Sequence, residues 1–210
     1  DGSVKRKLLT HVGADAHLSP DAAFSGWYYD HADELHLSYT PELIGSAVGP
    51  CPAWLFPAGA GEVWVIQVHG RGTTRAECLR AVPVFHEMGI TSLVVSYRND
   101  GDAPAAPDGR YGLGMTEWHD VDAAIDFAMT HGARDVVLFG WSMGGAIVLQ
   151  TADLSRHRSR ITALVLDGPV INWMEVLAHH AAIGCRPRRR PPSPGWRALL
   201  RAARPLSRAA

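Results

Sequence analysis

Residues 136–146 read Val-Val-Leu-Phe-Gly-Trp-Ser-Met-Gly-Gly-Ala and are the most informative stretch of this 210-residue chain. The short apolar run that opens the stretch is typical of a strand buried on both faces of a sheet. The residues from Met143 onward are predicted to form a helix. Gly140 and Gly144 stand two positions before and after Ser142. Such spacing is typical of a tight strand-to-helix turn, where a larger side chain at either position would clash.

The same kind of strand recurs elsewhere in the sequence. Short apolar runs occupy residues 63–68, 92–95 and 161–166. Helical periodicity separates them, over residues 74–89 and from about Thr116 to Gly132. Strands that alternate with helices predict a mostly parallel sheet covered on both faces, which is a three-layer α/β/α sandwich.

Weaker sequence patterns predict two further strands near the N-terminus and details of the first helix. Alternation over Leu35 to Tyr39 favours a strand, and Cys51 to Phe56 favours another. Thr74 and Glu77 have the spacing of a capping box, in which each side chain bonds the other residue's backbone N–H. Pro83 inside the same predicted helix predicts a kink.

The second predicted helix is expected to be amphipathic. Its apolar positions are predicted to face the sheet, and four acidic residues are predicted to face solvent: Glu117, Asp120, Asp122 and Asp126.

The turn around Ser142 carries the chemistry that we expect of this chain. A serine hydroxyl becomes a nucleophile when a strained turn exposes it beside a base. The backbone N–H of Met143 opens the following helix and is predicted to bind a developing oxyanion. Residues 68–72, Val-His-Gly-Arg-Gly, follow the first central strand, and Arg71 is predicted to supply the second N–H. His69 is interpreted as a structural histidine of that loop.

Residues 34–184 resemble the α/β-hydrolase superfamily, in its serine hydrolase branch. The two glycine motifs stand in the family's order, and residues 75–89, 96–100 and 117–118 further resemble bacterial α/β hydrolases of prolyl-oligopeptidase-like type. The resemblance implies that Ser142 is the nucleophile and that Met143 and Arg71 donate to the oxyanion. It also implies an ester, thioester, lipid, amide or peptide substrate.

The resemblance also implies an acid, then a histidine, in strands and loops that follow Asp167. The sequence has no Asp after Asp167, no Glu after Glu175 and no His after His180. We therefore expect a fold that lacks its last strands. Asp167 is the candidate acid, and His179 or His180 is the candidate base. The alternative is that Asp167 is only a strand-end residue and that the histidines only lie on a helix surface.

The last 26 residues differ in composition from the rest. Residues 185–210 hold eight of the 20 Lys and Arg residues, five Pro and none of the 21 acidic residues. Out-of-frame reading of GC-rich DNA yields such a mixture, so we interpret this segment as frameshift-derived or disordered. The alternative is a genuine basic tail that binds an anionic surface.

Composition narrows the remaining function classes. The sequence has no apolar run long enough to cross a membrane, and the three cysteines lack the spacing of a disulfide framework or a zinc site. We expect no metal, no cofactor, no nucleic-acid partner and a cytoplasmic location. The start at Asp1 leaves room for an N-terminal address or anchor, and the sequence carries no signature of an oligomeric state.

The sequence therefore predicts an irregular segment over residues 1–33, an incomplete α/β-hydrolase core over residues 34–184 and the tail over residues 185–210. The predicted function is a serine hydrolase that acts on a small-molecule or peptide acyl substrate through an acyl-enzyme on Ser142. We expect this chain to be inactive or impaired. The alternative is a non-catalytic binding or interaction protein on the same scaffold.

Overall fold

The computed structural model describes residues 28–59 and 61–184. Within them, six strands form one sheet in the order β1-β2-β4-β3-β5-β6. The strands β3 to β6 are parallel to one another. The strand β2 is antiparallel to both of its neighbours, β1 and β4. The strand bounds are β1 Thr40–Ser46, β2 Gly49–Phe56, β3 Val63–Val68, β4 Thr91–Val95, β5 Asp135–Trp141 and β6 Ile161–Asp167.

Helices connect the strands and cover both faces of the sheet. The α-helices are α1 Val82–Glu87, α2 Trp118–Thr130, α3 Met143–Leu154 and α4 Trp173–Gly184, and short 3₁₀ helices occupy Ala32–Leu35, Arg75–Ala81 and Arg158–Arg160. Two buried apolar clusters form, one with residues of α2 and α3 and one with residues of 75–81 and α1. The predicted three-layer α/β fold with a mostly parallel sheet is therefore confirmed.

Alternation along the central strands divides the core between the two faces. Ile66 and Leu93 are fully buried on the α2 and α3 side, whereas Val65 and Val94 are fully buried on the α1 side. Successive side chains of a strand point to opposite faces, so a strand covered on both sides must be apolar throughout. This requirement explains the apolar runs of β3, β4 and β5. The run at residues 161–166 was predicted to be buried on both faces as well, and that part of the prediction is wrong, because Thr162 to Asp167 are exposed in β6 at the edge of the described sheet.

The strand order places the carboxyl ends of β3 and β5 next to each other. β3 pairs with β4 on one side and with β5 on the other. The connection from β3 to β4 passes over one face and the connections to β5 and β6 pass over the other. A reversal of this kind opens a crevice at the carboxyl ends of the strands, which is where such sheets bind ligands.

The predicted strand over Leu35 to Tyr39 is wrong. Leu35 ends a 3₁₀ helix, and the first paired strand begins at Thr40. Leu35, Leu37 and Tyr39 are nevertheless half-buried and pack against the apolar cluster on the α1 side. The alternation correctly indicated which side chains are partly buried. It did not indicate a strand, because the backbone before Thr40 pairs with no neighbouring strand.

The predicted helix over residues 74–89 is two helices. A 3₁₀ helix ends at Ala81, and Pro83 lies in the first turn of α1, where its missing N–H has no intrahelical partner to lose. Gly89, with φ of 71°, follows the end of α1 as predicted. Thr74 does cap the first helix by accepting from the Ala76 N–H. Glu77 does not complete the capping box, because its carboxylate bonds elsewhere.

The predicted polar face of α2 is wrong for two of its four acids. Glu117 and Asp120 are 0% and 3% exposed, respectively. Asp120 accepts two bonds from the Arg98 guanidinium and one from the Arg98 N–H. Glu117 accepts from the backbone N–H groups of Gly112 and Gly114. These carboxylates are buried because the loop after β4 supplies partners that helical periodicity does not reveal.

Candidate active site

Ser142 occupies the turn between β5 and α3. Its backbone adopts φ of 51° and ψ of −115°, a conformation that is strained for a residue with a Cβ. Backbone hydrogen bonds hold the turn: the Ser142 N–H donates to the Asp167 carbonyl at 3.0 Å, and the Val170 N–H donates to the Ser142 carbonyl at 3.0 Å. The side chain of Ser142 is exposed, while Trp141 and Met143 on either side are buried.

Glycine is required on both sides of this serine for steric reasons. A Cβ at Gly140 would overlap the backbone of Gly144, and a Cβ at Gly144 would overlap the carbonyl oxygens of Val68 and His69. The start of α3 therefore packs directly onto the end of β3. This close approach brings the loop after β3 to Ser142.

The loop after β3 lies against the serine. A Cβ built on Gly70 would stand 3.2 Å from the Ser142 Cβ, and Arg71 lines the same pocket as Ser142. Met143 is the first residue of α3. The first N–H groups of a helix have no acceptor within the helix, and they carry partial positive charge. The predicted serine and the two residues predicted to donate are thus brought together.

Glu77 holds this loop through two hydrogen bonds, which sequence reasoning missed. Its Oε2 accepts from the Gly70 N–H at 2.7 Å and from the Thr73 hydroxyl at 3.0 Å. The Gly70 N–H is therefore occupied, and Arg71, the next residue, lines the pocket. Thr73 and Glu77 are four residues apart, and this one-turn spacing was the signal in the sequence.

His69 lies behind the loop and not in the pocket. The side chain is fully buried, stacks on Tyr97 with ring centroids 4.6 Å apart, and contacts the Asp100 carboxylate through Nε2. The Tyr97 hydroxyl donates to the carbonyls of His69 and Gly70, each at 3.1 Å. The interpretation of His69 as a structural residue agrees with this placement.

Asp100 also fixes a second tyrosine. The Tyr111 hydroxyl donates to Asp100 Oδ1 at 2.9 Å. Burial, with a further contribution from this hydrogen bond, raises the pKa of Tyr111 to about 12. Tyr111 therefore remains a neutral donor at physiological pH, and the network behind the loop keeps its hydrogen bonds.

A pocket of about 290 Å³ opens above Ser142. Its walls come from the loop after β3, the loop before α2 and the helix α4. Apart from Arg71 and Ser142 itself, every lining residue is apolar: Leu113, Val170, Trp173, Val176 and Leu177. The helix that carries His179 and His180 is α4, and it borders the pocket.

Asp167 and His179 are not among the residues that line this pocket. The Asp167 carboxylate accepts from the Arg80 guanidinium at 3.2 Å, and Arg80 in turn stacks over Trp141. His179 is exposed on α4. His180 also belongs to α4. The catalytic roles of these three residues stay predictions.

The described ranges 28–59 and 61–184 lack both a metal-binding cluster and a membrane-spanning helix. They contain no group of three His, Cys, Asp or Glu side chains placed to hold a metal ion. None of the helices in these ranges is both long and apolar enough to cross a membrane. The tail over residues 185–210 and most of the predicted N-terminal segment lie outside the described residues, so the predicted domain bounds stay predictions.

Solved structures with the same architecture include enzymes named as esterases. The esterase Pf2001 of Pyrococcus furiosus superimposes with a TM-score of 0.62 at 18% identity, over 79% of this chain and 64% of that one. An esterase of Exiguobacterium antarcticum superimposes with a TM-score of 0.50 at 23% identity, over 63% and 46% of the two chains. The present chain thus spans less than two thirds of the length of these proteins.

An α/β hydrolase of Novosphingobium aromaticivorans is a third example, with a TM-score of 0.52 at 20% identity, over 62% of this chain and 44% of that one. At such identities the likeness concerns the fold. The sequence match is more direct, because the family described as alpha/beta hydrolase fold matches residues 63–207, which is more than half of the chain. With the strained serine turn and the glycine loop beside it, this match means that the chain belongs to the α/β-hydrolase fold family.

Proposed function

We propose that this protein is a serine hydrolase that cleaves carboxylic esters, thioesters or amides of small molecules through an acyl-enzyme on Ser142. The observation that carries the proposal is the exposed serine with φ of 51° at the start of α3, beside a glycine loop. Strained backbone at a non-glycine residue persists where the surrounding structure imposes it, and such strain clusters at active sites.

The reaction follows from the geometry. The Ser142 Oγ attacks the acyl carbon, and the carbonyl oxygen becomes an oxyanion that accepts from the N–H groups of Met143 and Arg71. Collapse of this intermediate expels the alcohol, thiol or amine and leaves the acyl group on Ser142. Water then attacks the acyl carbon, and collapse of this second intermediate breaks the bond to the Ser142 Oγ, releases the acid and restores the serine hydroxyl. Both steps need a base to take and return a proton.

The proton acceptor is the weak part of the site in this chain. Asp167 bonds Arg80 instead of a histidine, and no histidine follows His180 in the sequence. We propose that the 210-residue chain on its own hydrolyses esters slowly, with the remaining rate supplied by the oxyanion donors and by binding. His179 or His180 is the candidate for any residual general-base contribution.

The test is covalent labelling of Ser142. A fluorophosphonate probe reacts with an activated serine and forms one stable phosphonate ester. We expect mass spectrometry to place the label on the peptide that contains Ser142, and Ser142→Ala to remove it. Ser155 is a matched control, because it is a buried serine that donates to Asp122, so Ser155→Ala should keep the label.

The second candidate function is non-catalytic binding on the same scaffold. The engagement of Asp167 by Arg80 favours it, because that carboxylate is then occupied by a partner other than a catalytic histidine. A chain that binds apolar acids in the pocket but never labels at Ser142, and never releases p-nitrophenol from short-chain esters above the buffer rate, has this function and not the hydrolytic one.

A further inference from the structure

Two neighbouring pockets of equal size share three lining residues. The pocket above Ser142 and its neighbour each enclose about 290 Å³, and both are lined by Leu113, Val170 and Trp173. The neighbouring pocket continues away from the serine between the loop before α2 and the helix α3, where Leu149 and Gln150 line it. Each pocket alone is at the small end of the range of about 300–1,000 Å³ that is usual for small-molecule sites.

Leu113 and Trp173 are joined across the boundary between the pockets. The indole N–H of Trp173 donates to the Leu113 carbonyl at 2.8 Å. This bond links the first residue of α4 to the loop before α2. Trp173 is partly buried against the apolar cluster on the α2 side. Its indole cannot rotate away without leaving this hydrogen bond unmade.

The Leu113 side of the contact is held even more firmly. Leu113 has φ of 57° and is followed by Gly114 with φ of 100°. The fully buried Glu117 accepts from the N–H groups of Gly112 and Gly114, at 2.6 and 2.9 Å, so its carboxylate fixes the backbone on both sides of Leu113. A left-handed conformation at a leucine is costly, and this carboxylate is what imposes it.

We propose that the Leu113–Trp173 contact is a partition that limits the acyl chain of the substrate to the pocket above Ser142 and so selects short-chain over long-chain acyl groups. The inference rests on the proposed function, since it names the substrate class of the same site. The apolar walls take the alkyl chain. The carbonyl end lies at Ser142 and the amides of Arg71 and Met143.

The test measures binding, so that it does not depend on turnover. The ligands are the straight-chain acids acetate, butyrate, hexanoate, octanoate and decanoate, and the affinities are measured by titration calorimetry. In the unmodified protein, we expect each added methylene to tighten binding by about fourfold until the pocket is full, and further methylenes to add nothing. Affinity that keeps rising to decanoate would overturn the proposal, as would the absence of binding at every length.

Removal of the Trp173 side chain should increase the chain length at which the affinity for the acids stops rising. We expect Trp173→Ala to extend the rise in affinity to longer acids, and Trp173→Phe, which keeps a ring but loses the N–H, to extend it less. Met174→Ala is the matched control, because Met174 is the next residue of α4 and its side chain is 76% exposed. An unchanged length limit in a folded Trp173→Ala protein contradicts the partition.

The far pocket supplies a second test that leaves the partition in place. Leu149→Phe fills part of that pocket, so it should have no effect on any acid when Trp173 is present. In the Trp173→Ala background, the same change should shorten the limit again. If Leu149→Phe alone weakens the binding of octanoate, chains already pass Trp173 and the proposal is wrong, even if Trp173→Ala does not fold.

Failure of this inference is distinguishable from failure of the proposed function. Fluorophosphonate labelling of Ser142 with an unchanged chain-length limit refutes the partition and leaves the hydrolase. A limit that moves as expected in a protein whose Ser142 never labels supports the partition and refutes the hydrolase.

Discussion

At the scale of single residues, Gly144 is a position where the addition of a single Cβ atom would disturb the active-site turn. A Cβ at this position would overlap the carbonyl oxygens of Val68 and His69, so α3 starts in direct contact with the end of β3. Any side chain here would push the helix start away from the strand, and with it Ser142 and the Met143 N–H. The glycine is therefore required by steric contact, since its φ is not in the left-handed region.

We expect Gly144→Ala to abolish labelling of Ser142 and to lower the free energy of unfolding by about 1–3 kcal/mol, as overpacking typically does. Labelling by a fluorophosphonate and urea denaturation followed by circular dichroism measure the two effects. Gly45→Ala in β1 is the matched control, because a Cβ there meets no atom within 4 Å. Retention of full labelling in Gly144→Ala would contradict the packing argument.

Glu77 shows how a residue outside the pocket still matters for its geometry. The capping-box interpretation assigned its carboxylate to its own helix, because a helix-start pattern is local and easily matched. In the structure the same carboxylate reaches back seven residues to the Gly70 N–H. The spacing is compatible with both outcomes, and the position of the loop after β3 decides between them.

At the scale of elements, the buried pair of Arg98 and Asp120 joins the loop after β4 to α2. The side chains are 9% and 1% exposed, and the guanidinium meets the carboxylate with two bonds of 2.8 Å. The hydrogen bond to Asp120 raises the pKa of Arg98, so the guanidinium keeps its charge even though it is buried. Removal of one partner leaves the other charge buried and unpaired.

We expect Asp120→Ala to lower the free energy of unfolding by about 3–5 kcal/mol, the usual cost of breaking a buried pair from one side. Urea denaturation of the purified protein measures it. The exposed pair of Glu62 and Arg134, whose closest N···O distance is 3.8 Å, serves as control, and Glu62→Ala should leave the urea midpoint unchanged. Equal midpoints for Asp120→Ala and Glu62→Ala would show that the buried pair does not stabilise the fold.

At the scale of the whole molecule, the two faces of the sheet each contain a buried thiol. Cys51 of β2 faces the α2 side and is 1% exposed, and Cys78 on the α1 side is 0% exposed. Burial raises the pKa of both thiols, and most strongly that of Cys78. Because the thiolate is the reactive form, the folded protein holds both cysteines in an unreactive state.

We expect Cys51 and Cys78 to resist Ellman's reagent at pH 8 in buffer and to become reactive at the same urea concentration. The reason is that both layers pack on one sheet, so neither can open without the other. The measurement uses the Cys185→Ser protein, with peptide mapping to separate the two sites. A thiol that reacts well before the other would mean that the layers unfold separately.

Much of the fold was legible in the sequence. The runs at residues 63–68, 92–95, 136–139 and 161–166 are all strands in the structure, and the predicted helix from Met143 onward is α3, which ends at Leu154. The reason is physical. The inner strands β3, β4 and β5 are mostly buried and therefore mostly apolar, and positions 140 and 144 beside the turn at Ser142 have room only for glycine. Such constraints act within a few residues of chain, so they produce short sequence patterns that can be recognised without the tertiary structure.

The rest depended on which distant segments meet. Whether Leu35 to Tyr39 pairs as a strand, whether Glu117 and Asp120 face water, and where the Glu77 carboxylate bonds are each settled by a partner remote in the chain. The joining of Leu113 to Trp173 across 60 residues is the clearest case. No local pattern encodes such a contact, because the free energy that selects it arises only when the sheet, the loops and α4 pack together.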